Sequence, residues 1–171
     1  MVERVLEFCE GFRFLHNFYP AAILLPKSDG FTYPSVEHAY QACKTDDIVE
    51  RAIIRSFGSP GEAKRHAHTF PKPKDWDQVK VEIMEHLVLC KFSVDPLKKN
   101  LLETGDIPLI NGNQIGEMFW GVDLSTMRGA NVLGTILMNI RASLSGKSKQ
   151  AATSSVVKPR RYQQKELGID K

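Results

Sequence analysis

Short hydrophobic runs broken by prolines dominate the first third of the chain, a pattern typical of strands and turns. The segment "RFLHNFYPAAILL" mixes aromatic and aliphatic residues, is interrupted by Pro20 and is followed by Pro26. Residues 28–30, Ser-Asp-Gly, carry a turn signature. We therefore predict a β-hairpin that joins residues 22–25 to residues 31–33.

Apolar residues at helical spacing dominate the remainder of the chain. In "WDQVKVEIMEHLVLCKF" the apolar positions Val79, Ile83, Leu87 and Cys90 recur along one face, which predicts a long amphipathic helix with a buried stripe. Residues suited to helix starts and stops delimit five further helices. The six predicted helices begin near Val36, Asp46 or Asp47, Pro60, Trp76, Pro96 and Ala130, and they end near Lys44, Phe57, Ala67, Phe92, Thr104 and Leu144.

Capping residues precede several of these helices, and two of them match a capping box, in which the cap and the third helical residue exchange hydrogen bonds. Between the last two helices, "IPLI" at residues 107–110 is predicted to be a short strand, and the Gly- and Asn-rich segment 111–131 to be a loop. The predicted caps are Ser35, Ser59 with Glu62, and Asp75 with Gln78.

Length and composition favour one globular domain, since the chain has 171 residues and is 42% hydrophobic. The net charge of +3 is unevenly divided, because residues 146–171 hold seven basic and two acidic residues and the preceding body is slightly acidic. Only a local patch or this tail could therefore attract phosphate. We predict one α+β domain over residues 1–145, mainly α-helical with a short N-terminal β-hairpin region, and a basic, disordered tail over residues 146–171.

The hydropathy pattern argues against a membrane protein. No apolar run reaches the roughly 20 residues that span a bilayer. Glutamates interrupt the apolar residues of the N-terminus, unlike the apolar core of a secretory signal. We predict a soluble, cytoplasmic protein without a membrane partner, and the sequence leaves its oligomeric state open.

The cysteines and histidines do not have the spacing of a metal site. Cys9, Cys43 and Cys90 are far apart in the sequence, which favours buried thiols over ligands. His66 and His68 are two residues apart and would point in different directions on a helix. We predict neither a metal nor a cofactor.

The stretch "YPSVEHAYQACK", residues 33–44, concentrates polar side chains on one short helix. At about 100° per residue, Glu37, Gln41 and Lys44 share a sector of about 60°, and Tyr40 lies at its border. These residues could form a solvent-exposed face with ordinary i,i+4 contacts, or they could be assembled around a ligand. Spacing alone favours the solvent-exposed face.

Three other segments carry candidate binding residues. "FLHNFYP" places Asn17, Phe18 and Tyr19 beside a proline turn, where they could form a stacking and hydrogen-bonding platform. "GEMFWGV" places Trp120 between Gly116 and Gly121, where it could pack in the core or clamp a flat ring or sugar. In "RGANVLG", Asn131 and Gly134 stand at a helix start, which could receive a phosphate or could simply carry an Asn cap.

Seven segments, in their order and at their spacing, resemble the motifs of the NADAR family, which includes YbiA-like bacterial proteins and domains fused to riboflavin-biosynthesis enzymes. The resemblance covers roughly residues 8–144 and leaves out the tail. The segments are "FLHNFYP", "YPSVEHAYQACK", "SPGEAKR", "DWDQVKVEIM", "KFSVDPLKKNLLETGD", "FWGV" and "NVLGTILMNIR".

The resemblance implies an N-glycosidase, an enzyme that hydrolyses the bond between a ribose anomeric carbon and a nitrogen. Two substrate classes are implied. The first is ADP-ribose attached to guanine in nucleic acid, where the protein acts as an antitoxin by de-ADP-ribosylation. The second is the phosphorylated ribosylamino-pyrimidine intermediates of riboflavin biosynthesis. The partners expected are therefore ADP-ribose or a ribosyl phosphate, with ADP-ribosylated nucleic acid as a further possibility.

The resemblance also implies roles for the candidate residues. Glu37 would stabilise positive charge at the anomeric carbon, and Lys44 would bind phosphate, protonate the leaving base or form an imine with the opened sugar. Glu117 is the third predicted catalytic residue. The predicted substrate-binding residues are Asn17, Phe18, Tyr19, Tyr40, Gln41, Trp120, Gly121, Asn131 and Gly134.

The chain departs from the family pattern at three positions. Asn111 stands where relatives usually have a glutamate, Glu117 stands where they have an aspartate, and His16 replaces a more usual serine. The loss of a charge at Asn111 leaves a further alternative open, a module that binds ADP-ribose without cleaving a glycoside. The resemblance favours the enzyme that acts on ADP-ribosylated guanine. The "FWG" triplet of this chain is similar to that of the stand-alone family members and differs from the "IWG" of the riboflavin-linked type, and the basic tail could hold a nucleic acid.

Overall fold

The computed structural model describes residues 8, 10–25 and 30–146. Within these residues, strands and helices rarely alternate along the chain. A 3₁₀ helix at Glu10–Leu15 leads into an antiparallel hairpin of β1 (Pro20–Leu24) and β2 (Thr32–Ser35). Six helices and a small parallel strand pair follow. They are α1 (Val36–Ala42), α2 (Ile48–Ser56), α3 (Pro60–Ala67), α4 (Trp76–Phe92), α5 (Leu97–Glu103), β3 (Gly112–Asn113), β4 (Val122–Asp123) and α6 (Val132–Leu144).

Local capping explains where the first three helices begin. The Ser35 hydroxyl accepts the His38 N–H at the start of α1, and Asp47 caps α2 through the N–H groups of Val49 and Glu50. At α3 the predicted capping box is present, with Pro60 in the first turn. These bonds satisfy N–H groups that have no partner inside a helix, so the predicted starts are confirmed.

Three local predictions were wrong. Asp75 precedes α4 but its side chain makes no cap bond, so the capping box predicted with Gln78 is absent. Its backbone is not extended as a side-chain cap requires, with ψ at 6°. Residues 107–110 do not form a strand, because only Leu109 makes a bridge. The segment 111–131 is not only a loop, since it contains the paired strands β3 and β4.

The predicted hairpin is confirmed, with Ile23 opposite Tyr33. Gly30 has a φ of +71°, in the left-handed region that glycine favours. The other two residues of the predicted turn, Ser28 and Asp29, lie outside the described residues.

Helix α1 lies at the centre of the domain and contacts the hairpin, α2, α3 and α4. Helix α4 also packs against β1, α5 and α6, so it links the two halves of the fold. Every residue of α1 is buried, on both the apolar and the polar face. A seven-residue helix enclosed on all sides can hold polar groups in fixed positions, which is the feature that defines the site below.

The architecture is α+β and mainly α-helical, as predicted. None of the helices in the described part of the chain combines the length and the apolarity needed to cross a bilayer. The predicted basic tail lies outside the described residues beyond Gly146, and Cys9 lies outside them as well. Of the other two cysteines, Cys43 is buried and Cys90 is half-buried.

Candidate active site

The polar face of α1 is not solvent-exposed, so the interpretation that spacing alone favoured is wrong. The side chains of Glu37, Gln41 and Lys44 retain only 7%, 1% and 6% of their accessible surface. Burying a carboxylate, an amide and an ammonium together costs free energy unless they are paired or serve a ligand. Their common burial therefore marks a candidate functional site.

Gln41 joins this cluster through one bond and leaves one atom unsatisfied. Its amide Nε2 donates to Glu37 Oε1 at 2.7 Å. Its carbonyl oxygen Oε1 is buried and accepts no hydrogen bond. Since buried acceptors are almost always satisfied, a donor from water or from a ligand is expected at this oxygen.

Burial shifts the protonation of both charged residues. Burial raises the pKa of Glu37, and the Gln41 hydrogen bond and the charges of Lys64 and Lys44 oppose this rise. Burial lowers the pKa of Lys44 to about 8, against the opposing charge of Glu37 and with smaller contributions from Lys72 and Lys64. Both the ammonium and the neutral amine form of Lys44 are therefore accessible near neutral pH, as general acid–base and nucleophilic chemistry require.

The turn that follows the 3₁₀ helix brings Asn17 to the start of α1. The Asn17 carbonyl accepts the Glu37 N–H at 3.2 Å, and its side-chain Nδ2 lies 3.3 Å from the sulfur of Met84 on α4. Asn17 is 8% exposed. The turn therefore fixes the first turn of α1 at Glu37 and places an amide beside it.

Aromatic rings enclose the Lys44 ammonium. Its Nζ lies 5.6 Å from the ring centroids of both Tyr40 and Trp76. The Tyr40 ring contacts Trp76 at 5.0 Å and Trp120 at 5.7 Å. Burial, followed by the charge of Glu37, raises the pKa of Tyr40, so this phenol stays neutral. These rings provide flat apolar surface beside a cation, which suits a base or sugar ring.

The loop that carries Trp120 is held by its own side chains. Asn113 accepts the Glu117 and Ile115 N–H groups, and its Nδ2 donates to the carbonyls of Glu117 and Val122. The Glu117 carboxylate in turn accepts the Phe119 and Trp120 N–H groups, each at 2.9 Å. Glu117 therefore anchors the backbone next to Trp120, and its predicted catalytic role stays a prediction.

A pair of variants separates anchoring from catalysis at Glu117. We expect Glu117→Gln to retain turnover within about threefold of the wild type, because one amide oxygen can accept both N–H groups. Glu117→Ala, which removes that acceptor, is expected to lose more turnover by releasing the loop. Steady-state kinetics on the two purified variants make the comparison, and a hundredfold loss in the Gln variant would instead support a catalytic carboxylate.

The predicted phosphate-binding helix start is occupied by this loop. The N–H groups of Asn131, Val132 and Leu133 donate to the carbonyls of residues 121, 119 and 120. The Asn131 side chain donates to Leu109 O and accepts the Asn111 N–H, so it does not cap α6. A phosphate at this end would therefore need other donors, and the binding role predicted for Asn131 stays a prediction.

Glycine is required where the loop meets α6. A Cβ at Gly134 would lie 2.3 Å from the Leu109 carbonyl oxygen, and one at Gly121 would lie 2.2 Å from the Asn111 carbonyl oxygen. Asn111 Nδ2 donates to the Trp120 carbonyl at 3.2 Å. These residues hold Trp120 against Tyr40, and direct substrate contact by Gly121 and Gly134 stays a prediction.

Phe18 and Tyr19 lie at the surface, 39% and 38% exposed. The Phe18 ring meets His16 edge-to-face at 4.9 Å. The Tyr19 ring covers the Lys91 ammonium at 5.5 Å from its centroid. Both rings belong to the turn that holds Asn17, and their stacking role on a ligand stays a prediction.

Sequence reasoning missed several residues of this site. Trp76 opens α4 and was assigned only to a helix motif, although its helical spacing from Val79 and Ile83 places it on the same apolar stripe. Lys64 on α3 is near enough to affect the pKa of both Glu37 and Lys44. Lys44, Lys64 and Lys72 also add to the burial that lowers the pKa of His68. This positive field beside Glu37 suits an anionic ligand.

No metal centre competes with this interpretation in the part of the chain that the structure describes, where no group of three or more His, Cys, Asp or Glu residues could hold an ion. A shallow groove of about 670 Å³ lies elsewhere, lined by both hairpin strands and the end of α2. None of the polar residues of α1 lines it. The buried cluster is therefore the candidate active site, and the groove is separate from it.

The fold and the site define an α+β domain that presents a buried carboxylate and amide from one central helix and a buried amine from the turn that follows it. A family model described as the NADAR domain matches residues 8–145. The chain belongs to the NADAR family, as the sequence motifs predicted.

Curated relatives are named for two kinds of protein. The chain is 36% identical over 145 residues to "Riboflavin biosynthesis protein PYRR, chloroplastic" of Zea mays, and 37% identical over 139 residues to "Riboflavin biosynthesis protein VVA0006" of Vibrio vulnificus. These matches cover 76% and 79% of this chain. They span only 23% and 36% of those longer proteins.

Shorter relatives match over most of their length. The chain is 36% identical to "N-glycosidase YbiA" of Escherichia coli, covering 69% of this chain and 74% of the relative. The solution structure of E. coli YbiA superposes with a TM-score of 0.71 at 30% identity, covering 91% of this chain and 94% of that one. The names of these relatives agree with the predicted enzyme class, hydrolases that act on N-glycosyl compounds.

Proposed function

We propose that this protein is an N-glycosidase that hydrolyses the bond between the anomeric carbon of a phosphorylated ribose and a base nitrogen. The observation that carries the proposal is the buried set of Glu37 and Gln41 on α1 and Lys44 in the turn that directly follows it. The family membership and the N-glycosidase relatives support the same class of reaction.

Glu37 has the central role in this reaction. As the bond from the anomeric carbon to nitrogen lengthens, its electron pair moves to the base and positive charge develops on the sugar. The Glu37 carboxylate stabilises that charge and accepts a proton from the attacking water. The products are a sugar with a free anomeric hydroxyl and a base that has gained a proton.

Gln41 orients the sugar. Its unsatisfied Oε1 accepts a ribose hydroxyl, while its Nε2 continues to hold Glu37. Because a site built for a hydroxyl leaves a buried acceptor unpaired when that hydroxyl is missing, Gln41 also favours ribose over deoxyribose. Asn17 lies on the adjacent turn and supplies a further amide.

Lys44 supplies the amine of the site. Its pKa of about 8 places part of the population in the neutral form, which can attack the anomeric carbon and displace the base. The resulting glycosylamine opens to an imine, and water then releases the sugar. The protonated form can instead give its proton to the leaving base, and trapping of the imine with borohydride distinguishes the two roles.

The first substrate that we propose is ADP-ribosylated guanine in nucleic acid. The lysines around His68 suit the two phosphates of ADP-ribose. The aromatic rings of Tyr40, Trp76 and Trp120 suit a purine, and the basic residues after 146 suit a polyanion.

The second candidate is a ribosylamino-pyrimidine phosphate of riboflavin biosynthesis. The observation that favours it is the similarity to two relatives named as riboflavin biosynthesis proteins. This smaller substrate also carries a ribose and a phosphate, so the same buried residues would act on it.

One assay with both substrates tests these proposals. The full chain is incubated with an ADP-ribosylated guanine oligonucleotide and, in parallel, with the ribosylamino-pyrimidine phosphate. Free ADP-ribose or free ribose phosphate is measured by chromatography. We expect turnover of the oligonucleotide to exceed that of the pyrimidine by about tenfold or more in kcat/KM. The reverse order would select the riboflavin intermediate, and binding without turnover of either would contradict the N-glycosidase.

A further inference from the structure

Lys91 is a buried lysine that the proposed reaction does not use. It lies on α4 and is only 3% exposed. Within the described residues no carboxylate forms an ion pair with it, and its ammonium lies over the Phe92 ring at 5.1 Å and the Tyr19 ring at 5.5 Å. Burial lowers the pKa of Lys91 to about 7.

Such a residue destabilises the fold. A buried ammonium without an anion loses its hydration and regains little, and an apolar side chain of the same length at such a place is often neutral or stabilising. Residues that break a packing rule in this way are expected at functional positions. The contacts of Lys91 indicate which functional role could compensate for this loss of stability.

The Lys91 Nζ donates to the carbonyl oxygen of His16 at 2.8 Å. The same carbonyl accepts the Tyr19 N–H at 3.1 Å, which closes the turn between these residues. The His16 ring adds a second bond, because its Nδ1 accepts the Phe18 N–H at 3.0 Å. Lys91 thus ties the turn to α4 from a position 75 residues further along the chain.

This turn leads directly to the proposed active site. Asn17 lies inside it, and its carbonyl accepts the Glu37 N–H. We propose that Lys91 is a positioning residue, which fixes the turn of residues 16–19 and through Asn17 sets the place of Glu37. The neutral amine of lysine also has N–H groups that can donate this hydrogen bond, although more weakly than the ammonium does, so the role does not require the charge.

The inference rests on the proposed function only for its kinetic consequence. A displacement of catalytic groups by about 1 Å lowers turnover by up to about a hundredfold. The variant Lys91→Met keeps the length and apolar contacts of the side chain but removes the donor. We expect its melting temperature to equal or exceed that of the wild type, and its kcat to fall by about tenfold or more with little change in KM.

A second measurement does not need turnover at all. Amide hydrogen exchange of Tyr19 and Glu37 should accelerate by about tenfold in Lys91→Met, because the turn opens locally, while the core amides of α4 keep their protection. The control is Lys99→Met on α5, which removes an exposed lysine paired with Glu103 at 3.7 Å. This control should change neither exchange nor turnover.

The outcomes separate the two proposals. Unchanged exchange at Tyr19 and Glu37 in Lys91→Met, or wild-type kcat in that variant, would overturn the positioning role. If the wild type cleaves no glycoside, the proposed function fails, and local exchange still decides the role of Lys91. A fall in melting temperature with loss of protection throughout α4 would also overturn it, since Lys91 would then hold the whole fold.

Discussion

Glu37→Gln is expected to lower kcat by about a thousandfold and to leave the protein folded. The substitution preserves the shape of the side chain and its acceptor for the Gln41 amide, but it removes the negative charge that opposes the anomeric cation. In free energy, this loss corresponds to about 4 kcal/mol of transition-state stabilisation. Release of free ADP-ribose under single-turnover conditions measures it.

Stability distinguishes this effect from unfolding. Burial raises the pKa of Glu37, so the folded state disfavours its charged form. A neutral amide at the same place is therefore expected to leave the melting temperature unchanged or to raise it. Glu85→Gln, on the exposed side of α4, is the matched control and should keep full activity. Wild-type kcat in Glu37→Gln would remove Glu37 from the mechanism.

The same pKa predicts how turnover depends on pH. Because Glu37 must be ionised, activity falls as the pH drops through a pKa that burial has raised above the usual carboxyl range. This acidic limb should disappear in Glu37→Gln, whose residual activity has no carboxyl group left to titrate at this position.

Lys44→Ala is the second substitution with a large expected effect, a loss of about a hundredfold or more in kcat. It removes the amine that lies 5.6 Å from the ring centroids of both Tyr40 and Trp76. Lys44→Met, which keeps the apolar stem against those rings, should lose as much activity while it retains the packing. Equal losses in both variants would assign the effect to the amine and not to a cavity.

Borohydride identifies the role of that amine. If Lys44 forms an imine with the sugar, hydride addition during turnover converts it to a stable secondary amine, and mass spectrometry finds the sugar on the peptide that contains Lys44. We expect this adduct in the wild type and none in Lys44→Met. We also expect the rate to rise with pH through about 8, as the amine loses its proton. Turnover without any adduct, together with a rate that falls as the pH rises through about 8, would assign Lys44 to proton donation.

The resemblance to family motifs identified the family and most of the candidate residues. The sequence did not predict that Glu37, Gln41 and Lys44 among them are buried. Glu37, Gln41 and Lys44 have the spacing of one helix face, and that spacing is the same whether the face meets solvent or other helices. The structure places α3, α4 and the hairpin around it. Periodicity reports direction around a helix and carries no information on what lies there.

The loop of residues 111–131 shows the same limit. Its glycines and asparagines predicted irregular backbone, and that prediction is correct for most of the segment. The sequence did not indicate that the Asn131 side chain would hydrogen-bond to the backbone of Leu109 and Asn111 and not cap the helix. It also did not indicate that the Glu117 carboxylate would accept the Trp120 N–H. These bonds join residues that lie outside the helices and strands, where turn statistics do not specify partners.

The sequence by itself determined the local elements of this protein, because their causes are local. Ser35, Asp47 and Ser59 cap helices through N–H groups two or three residues away, and the apolar stripe of α4 is a matter of helical repeat. Only the tertiary structure decided that α1 is buried on every side and that Lys91 reaches the His16 carbonyl. Burial and long-range hydrogen bonds depend on how the helices pack, and that packing converts a polar helix face into a buried cluster with shifted pKa values and an unsatisfied amide oxygen.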